Sequence, residues 1–149
     1  MANVTPGASG TRQSPAGGVA TVDLGHILLV DDEESVRAMT AMLLQRRGYL
    51  VTEAPSGDEA LQQFVSAPDR FALLLIDLSM PGMDGTELLA AVRALRPSQV
   101  VVAISGHDRR DVVRALGDLR VNGFLQKPFT PETLFAVVGR VTGEPGARA

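Results

Sequence analysis

The sequence contains no cysteine. That excludes a disulfide scaffold, thiolate zinc sites and a cysteine nucleophile, and it fits a reducing compartment. Basic charge is not in excess either: the formal net charge is -3 at pH 7. Nothing therefore favours nucleic acid or an anionic membrane as a partner. The first stretch, MANVTPGASGTRQSPAGGVATVDLG, has no basic start followed by an apolar run, so no secretory signal is visible. The longest apolar runs, such as ALLLI, are far too short to span a bilayer. These absences predict an intracellular, cytoplasmic protein without a membrane partner.

What is present suits one ordinary domain. The chain has 149 residues, of which 45% are hydrophobic and 21% charged, enough for a real core. Composition shifts sharply near His26. Before it stand Gly, Ala, Ser, Thr and Pro, with almost no large apolar residue. Such a segment cannot offset its ordering entropy, which predicts a flexible tail or linker over residues 1–25. The folded part is expected over residues 26–142, followed by a short tail over 143–149. No internal repeat is visible.

Within the folded part, short apolar runs alternate with amphipathic stretches. The strands expected are His26–Val30, Leu50–Ala54, Phe71–Ile76, Val100–Ile104 and Gly123–Gln126. Between the first two, Glu33–Arg47 places Val36, Met39 and Leu43 at helical spacing, and Gly48 is a C-terminal stop. Ser56 with Glu59 makes a capping-box pattern, and Asp84 with Glu87 caps a helix that Pro97 ends. A fourth helix carries Val112, Val113, Leu116 and Leu119, with Gly123 as its exit. Thr130 caps the last helix, with Pro131 in its first turn.

Five strand–helix units in strict alternation, with strands apolar on both faces, imply a parallel sheet covered on both sides. Right-handed crossovers make this an α/β doubly wound open sheet, flavodoxin-like, with strand order 2-1-3-4-5 preferred. A TIM barrel would need roughly twice the length.

Ligands of such sheets bind beyond the carboxyl ends of the strands. Asp31 and Asp32 follow the first strand, Asp77 the third, Ser105 the fourth, and Lys127 with Pro128 the fifth. Topology thus brings to one edge residues that are far apart in sequence. Three crowded carboxylates repel one another, and a divalent cation relieves this. With all-oxygen donors and no His or Cys beside them, Mg²⁺ is the expected ion. A carboxylate can also attack phosphorus to give an aspartyl phosphate. Such a transfer needs positive charge on the moving oxygens, which Mg²⁺ and Lys127 could supply, while Ser105 could hydrogen-bond one of them.

The segments LLVDDEE, LLLIDLSMPGMDG, VVAISG and FLQKPF closely resemble the receiver domains of two-component response regulators. Four such segments stand in the right order and spacing, and the resemblance covers His26 to about Thr142, nearly the whole folded part. The resemblance implies Asp77 as phosphoacceptor and Asp32 as a direct Mg²⁺ ligand. It implies that Asp31 positions the metal partly through water, and that Ser79 offers it a backbone carbonyl. Ser105 becomes the hydroxyl that turns toward the phosphoryl group, and Phe124 the switch ring that moves with it. Lys127 becomes the phosphoryl-binding lysine, with a cis bond to Pro128, and Gly106 leaves room for a phosphodonor. The implied partners are a histidine kinase or histidine phosphotransfer protein, plus a downstream protein on the face of the fourth helix, fifth strand and fifth helix. The Gly/Pro/Ala-rich start resembles linkers before the C-terminal receivers of hybrid histidine kinases.

Blander readings stand beside these. A lone Asp after a strand is usually a cap, a lone Ser a turn hydroxyl, and a lone Phe a core aromatic. The PGMDG loop is first a tight turn and cap, and Arg109, Arg110 and Arg114 are first a solvated helix face. His26 and His107 lack metal-ligand spacing. Two other functions share the residues: a Mg²⁺-dependent aspartyl-phosphate phosphatase, and a receiver-like interaction domain that never meets phosphate. The first commonly carries a second Asp two positions after the nucleophile, where this chain has Ser79.

Overall fold

A computed structural model describes residues 24–80 and 84–144. Most of the expected N-terminal tail, residues 145–149 of the C-terminal one and residues 81–83 of the PGMDG loop lie outside the described residues.

The strands and helices, in chain order, are β1 (His26–Val30), α1 (Glu34–Arg47), β2 (Leu50–Ala54), α2 (Gly57–Ser66), β3 (Leu73–Asp77), α3 (Gly85–Leu95), β4 (Val101–Ser105), α4 (Arg109–Leu116), β5 (Gly123–Gln126) and α5 (Pro131–Thr142). All strand pairs are parallel, in the order β2-β1-β3-β4-β5. The order follows from burial. Every residue of β3 and β4 is buried, whereas β2 and β5 keep exposed positions, so the most apolar strands take the centre and the mixed ones the edges.

Side chains alternate across the sheet and build two cores. On one face Leu28, Val30, Leu74 and Ile76 pack with Phe64 of α2 and Leu88, Leu89 and Val92 of α3. On the other, Ile27, Leu29, Leu73, Leu75 and Ile104 pack with Ala41 and Leu44 of α1 and Leu134 and Val138 of α5. Burying one such side chain contributes about 2 kcal/mol, so the sheet position of each strand end is strongly held.

Local details sharpen three expectations. The Ser56 hydroxyl accepts the Glu59 N–H at 3.2 Å, but the full reciprocal box forms at α3. There Asp84 accepts from Glu87 N–H at 2.9 Å and Glu87 accepts from Asp84 N–H at 3.2 Å. α4 ends at Leu116, because Gly117 takes φ 62° and turns the chain out. Leu119 therefore lies past the helix, and Gly123 opens β5 instead of closing α4. Finally, α1 rests on Thr40, Ala41 and Leu44, one step round from the Val36, Met39 and Leu43 stripe. Two apolar stripes run side by side on this helix. The sheet takes the one with the smaller side chains, helped by Thr40, whose hydroxyl is satisfied by the Val36 carbonyl at 2.8 Å. Met39 is left 53% exposed.

Candidate functional site

β1 and β3 lie side by side, with Val30 opposite Ile76. The residues just beyond are Asp31 on one strand and Asp77 at the end of the other. Each carboxylate bends back over its own chain. Asp31 Oδ1 accepts the Glu33 N–H at 2.9 Å, and Asp77 Oδ1 accepts the Ser79 N–H at 2.9 Å. These turns fix both carboxylates and leave the second oxygen of each toward Lys127. Asp31 and Asp77 are buried, at 1% and 3% exposure, while Asp32 is exposed. One carboxylate oxygen from each of Asp31, Asp32 and Asp77 lies within 4.8 Å of the others. This is an all-oxygen set of excess negative charge, and it fits a hard divalent cation.

Lys127 arrives from the end of β5 and meets three carboxylates. Its Nζ lies 3.1 Å from Asp31 Oδ2, 3.2 Å from Asp77 Oδ2 and 2.6 Å from Glu33 Oε1. The backbone that delivers it is tied down, since Lys127 N–H donates to the Ser105 carbonyl at 2.8 Å. The bond between Lys127 and Pro128 is cis. Burial pushes the Asp31 carboxyl above its usual range, and the Asp77 charge adds to this; the Glu33 N–H and Lys127 offset it only in part. Burial alone would lower the Lys127 ammonium, but its bonds to Glu33 and Asp31 and the Asp77 charge raise it well above the ordinary lysine value.

Ser105 ends β4 and is buried, with Oγ accepting the His107 N–H at 3.0 Å. A Cβ placed on Gly106 would meet nothing within 4 Å, so the approach above Ser105 is open. His107, Ser79 and Ser105 border the same shallow pocket. Phe124 pairs with Ala103 across β4 and β5, is half-buried, and borders a cavity of about 60 Å³ beneath α4 with Val112 and Leu116. Arg109, Arg110 and Arg114 lie exposed on α4. His26 is a structural residue of β1, with its ring 2.7 Å from Thr52 Oγ1 and edge-on to Phe71.

The fold thus brings Asp31, Asp32, Asp77 and Lys127 together, with Ser105 tied to the Lys127 backbone and Ser79 to the Asp77 carboxylate. The sequence reading missed Glu33. In the run DDEE it looks like one more solvated acid, and its partner stands 94 positions away.

A family model for the response regulator receiver domain matches residues 27–139. The chain belongs to this family, whose members serve two-component signal transduction. The sensor kinase CckA of Brucella abortus (strain 2308) is 38% identical over 112 residues, covering 75% of this chain and 12% of CckA. The transcriptional regulatory protein ResD of Bacillus subtilis (strain 168) is 32% identical over 105 residues, covering 70% of this chain and 42% of ResD. The chain thus spans less than half the length of these curated relatives. Among solved structures, the response regulator TrrA from Thermotoga maritima in complex with Mg(2+)-BeF is 27% identical with a TM-score of 0.69, covering 78% of this chain and 98% of that one. Receiver domains bind Mg²⁺ and interact with histidine kinases or phosphotransfer proteins and with effector domains. Among the described residues, no helix is long and apolar enough to cross a membrane.

Proposed function

We propose that residues 26–142 form a phosphoacceptor receiver that takes a phosphoryl group on Asp77 from a histidine kinase or histidine phosphotransfer protein. One observation carries this reading: a buried carboxylate at the end of the central strand, 3.2 Å from a lysine ammonium and beside two further acids. An oxygen of Asp77 attacks phosphorus, the P–N bond of the donor's phosphohistidine breaks, and its electron pair stays on the imidazole nitrogen. Lys127 stabilises charge on the phosphoryl oxygens, and Ser105 turns its hydroxyl from the His107 N–H to one of them. Asp31, Asp32, Asp77 and the Ser79 carbonyl would hold Mg²⁺, which when bound neutralises charge on the transferring group.

The cavity beside Phe124 gives its ring somewhere to go once Ser105 has moved. The face of α4, β5 and α5 then changes its affinity for a downstream protein. The donor docks over the apolar groove of about 360 Å³ between α1 and the Lys127–Pro131 loop, where Met39 and Leu43 border Lys127. Slow hydrolysis resets the domain, and the setting is the cytoplasm. An aspartyl-phosphate phosphatase is the weaker reading, because Ser79 provides no acid or base at the position where such an enzyme uses a second Asp.

The test is intact mass after incubation with Mg²⁺ and a small acyl-phosphate donor. The expected result is one labile phosphoryl group, lost with chelator and absent in Asp77→Asn. A gain that survives Asp77→Asn would mean another nucleophile. No gain, together with no beryllofluoride complex, would leave a receiver-like domain that does not see phosphate.

A further inference from the structure

Glu33 holds the N-cap position of α1, with φ -83° and ψ 106°, yet its side chain makes no cap hydrogen bond. Short side chains such as Asp, Asn, Ser and Thr serve that position best. Here a longer acid stands there, and its carboxylate reaches away from the helix to Lys127. At 2.6 Å this is the shortest of the three ammonium contacts, shorter than the one to the acceptor.

An ammonium has three N–H donors. Glu33 and Asp77 accept hydrogen bonds from it, and Asp31 Oδ2 stands beside it as an ion-pair partner at 3.1 Å. A phosphoryl group on Asp77 takes over that carboxylate's charge and adds to it, so it competes with the remaining partners for the ammonium. The Asp31 and Asp77 side chains are 2% and 4% exposed, whereas that of Glu33 is 58% exposed. Asp31 is held in place by the Glu33 N–H and would be held by Mg²⁺ when bound, whereas a released Glu33 returns to water at little cost. Glu33 is the exchangeable partner.

We propose that Glu33 is a positioning residue, which parks the Lys127 ammonium over the acceptor in the resting protein and yields it to the incoming phosphoryl group. The inference rests on the receiver reading above. It implies that wild type holds a phosphoryl group less tightly than its other residues allow, because Glu33 competes for the same ammonium.

The test measures beryllofluoride binding at saturating Mg²⁺ for wild type, Glu33→Gln and Glu33→Asp, with Mg²⁺ affinity measured separately. Glu33→Gln removes the charge and with it the ion pair, although the amide oxygen can still accept from the ammonium. Glu33→Asp keeps the charge near the metal, shortens the reach and suits the cap, so it removes the contact alone. Both variants are expected to bind beryllofluoride about threefold tighter than wild type, the scale of an exposed ion pair. Only Glu33→Gln is expected to weaken Mg²⁺ binding. In the free proteins, the Lys127 ammonium NMR signal should shift in both variants. In wild type it should shift on adding beryllofluoride, as the partner exchanges. Unchanged or weaker beryllofluoride binding in both variants overturns the proposal. Tightening in Glu33→Gln alone also overturns it, since the local field and not the contact would be responsible. Failure of wild type itself to bind beryllofluoride would instead bring down the receiver reading.

Discussion

Two polar clusters sit at opposite edges of the sheet, and they are built to opposite rules. At the carboxyl edge, Asp31, Glu33 and Asp77 share the single ammonium of Lys127. At the amino edge, Arg47, Tyr49, Thr142 and Glu144 close on one another. Tyr49 Oη donates to Glu144 Oε1 at 2.7 Å and lies 2.9 Å from Thr142 Oγ1, and Arg47 Nε donates to Glu144 Oε2 at 2.8 Å. The Arg47 guanidinium also stacks over Phe135 at 4.9 Å. Burial raises the carboxyl of Asp31 and is not overcome. Burial also presses on Glu144, but Arg47 and Tyr49 hold that carboxyl below its ordinary value. Buried acids are thus not equivalent: one cluster is complete and staples the end of α5 to α1, whereas the other lacks positive charge that a ligand can bring.

The largest effect is expected at Gly85. A Cβ there would run into the Asp77 carbonyl oxygen and stand 2.5 Å from the Leu78 Cα. Both are backbone atoms that cannot step aside. Gly85→Ala should cost about 3 kcal/mol in urea denaturation and reduce phosphorylation; unchanged stability would show that the acceptor strand end is soft. Next in size is an alkaline effect at the other edge. Burial, with Glu144 adjacent, raises the Tyr49 phenol from 10.0 to about 12. The unfolded chain releases that proton first, so stability is full below about pH 10 and falls by about 2–3 kcal/mol towards pH 12. Tyr49 is the chain's one tyrosine, and there is no tryptophan, so phenolate absorbance reports it directly. Tyr49→Phe should flatten the alkaline slope, and a Tyr49 titrating near 10 would refute the closed cluster. Glu144→Gln should cost about 2 kcal/mol at neutral pH by weakening bonds from a charged partner. The depressed Glu144 carboxyl contributes stability above pH 4.5 that is lost as pH falls, so the variant should also show a shallower acid limb.

The carboxyl-edge cluster could be read from sequence because topology does the assembling. Strands apolar on both faces demand a parallel sheet, and a parallel sheet puts every strand's exit on one edge. Asp31, Asp77, Ser105 and Lys127 needed only to be the residues at those exits. The amino-edge cluster had no such rule behind it. Its partners stand up to 97 positions apart and meet through the packing of α5 on α1, which no local pattern encodes. The face of α1 was obscured for a related reason. Val36, Met39 and Leu43 have the same period as the buried stripe next to them, and only the sheet decides between the two. For α4, Gly117 and Gly123 are both credible stops, and the left-handed turn at Gly117 decides. Glu33 was hidden by its neighbours, since an acid in DDEE has no feature of its own until the fold brings Lys127 to it.

The smallest effect makes the sharpest contrast, because it repeats one chemical change with the opposite sign. Asp31→Asn, like Glu144→Gln, replaces a carboxylate with an amide of nearly equal shape. At Glu144 the charge is favoured by its surroundings, and neutralising it destabilises. At Asp31 the folded protein raises the carboxyl above 3.8 through burial first and the Asp77 charge after it. The native state then holds its proton more readily than the unfolded chain, so stability falls as pH rises through the window above 3.8. Burial thus disfavours the Asp31 charge in the folded protein more than the Glu33 N–H and Lys127 favour it. An asparagine oxygen can still accept the Glu33 N–H that fixes the turn. Without Mg²⁺, Asp31→Asn should therefore be more stable than wild type in urea denaturation. With Mg²⁺ present the order should reverse. Wild type gains by mass action from a ligand that binds only the folded state, by about 2 kcal/mol at concentrations well above its dissociation constant. The variant, missing one donor, gains less. A loss of stability in Asp31→Asn both with and without Mg²⁺ would mean that Lys127 already balances the cluster. The two edges would then differ in composition but not in kind.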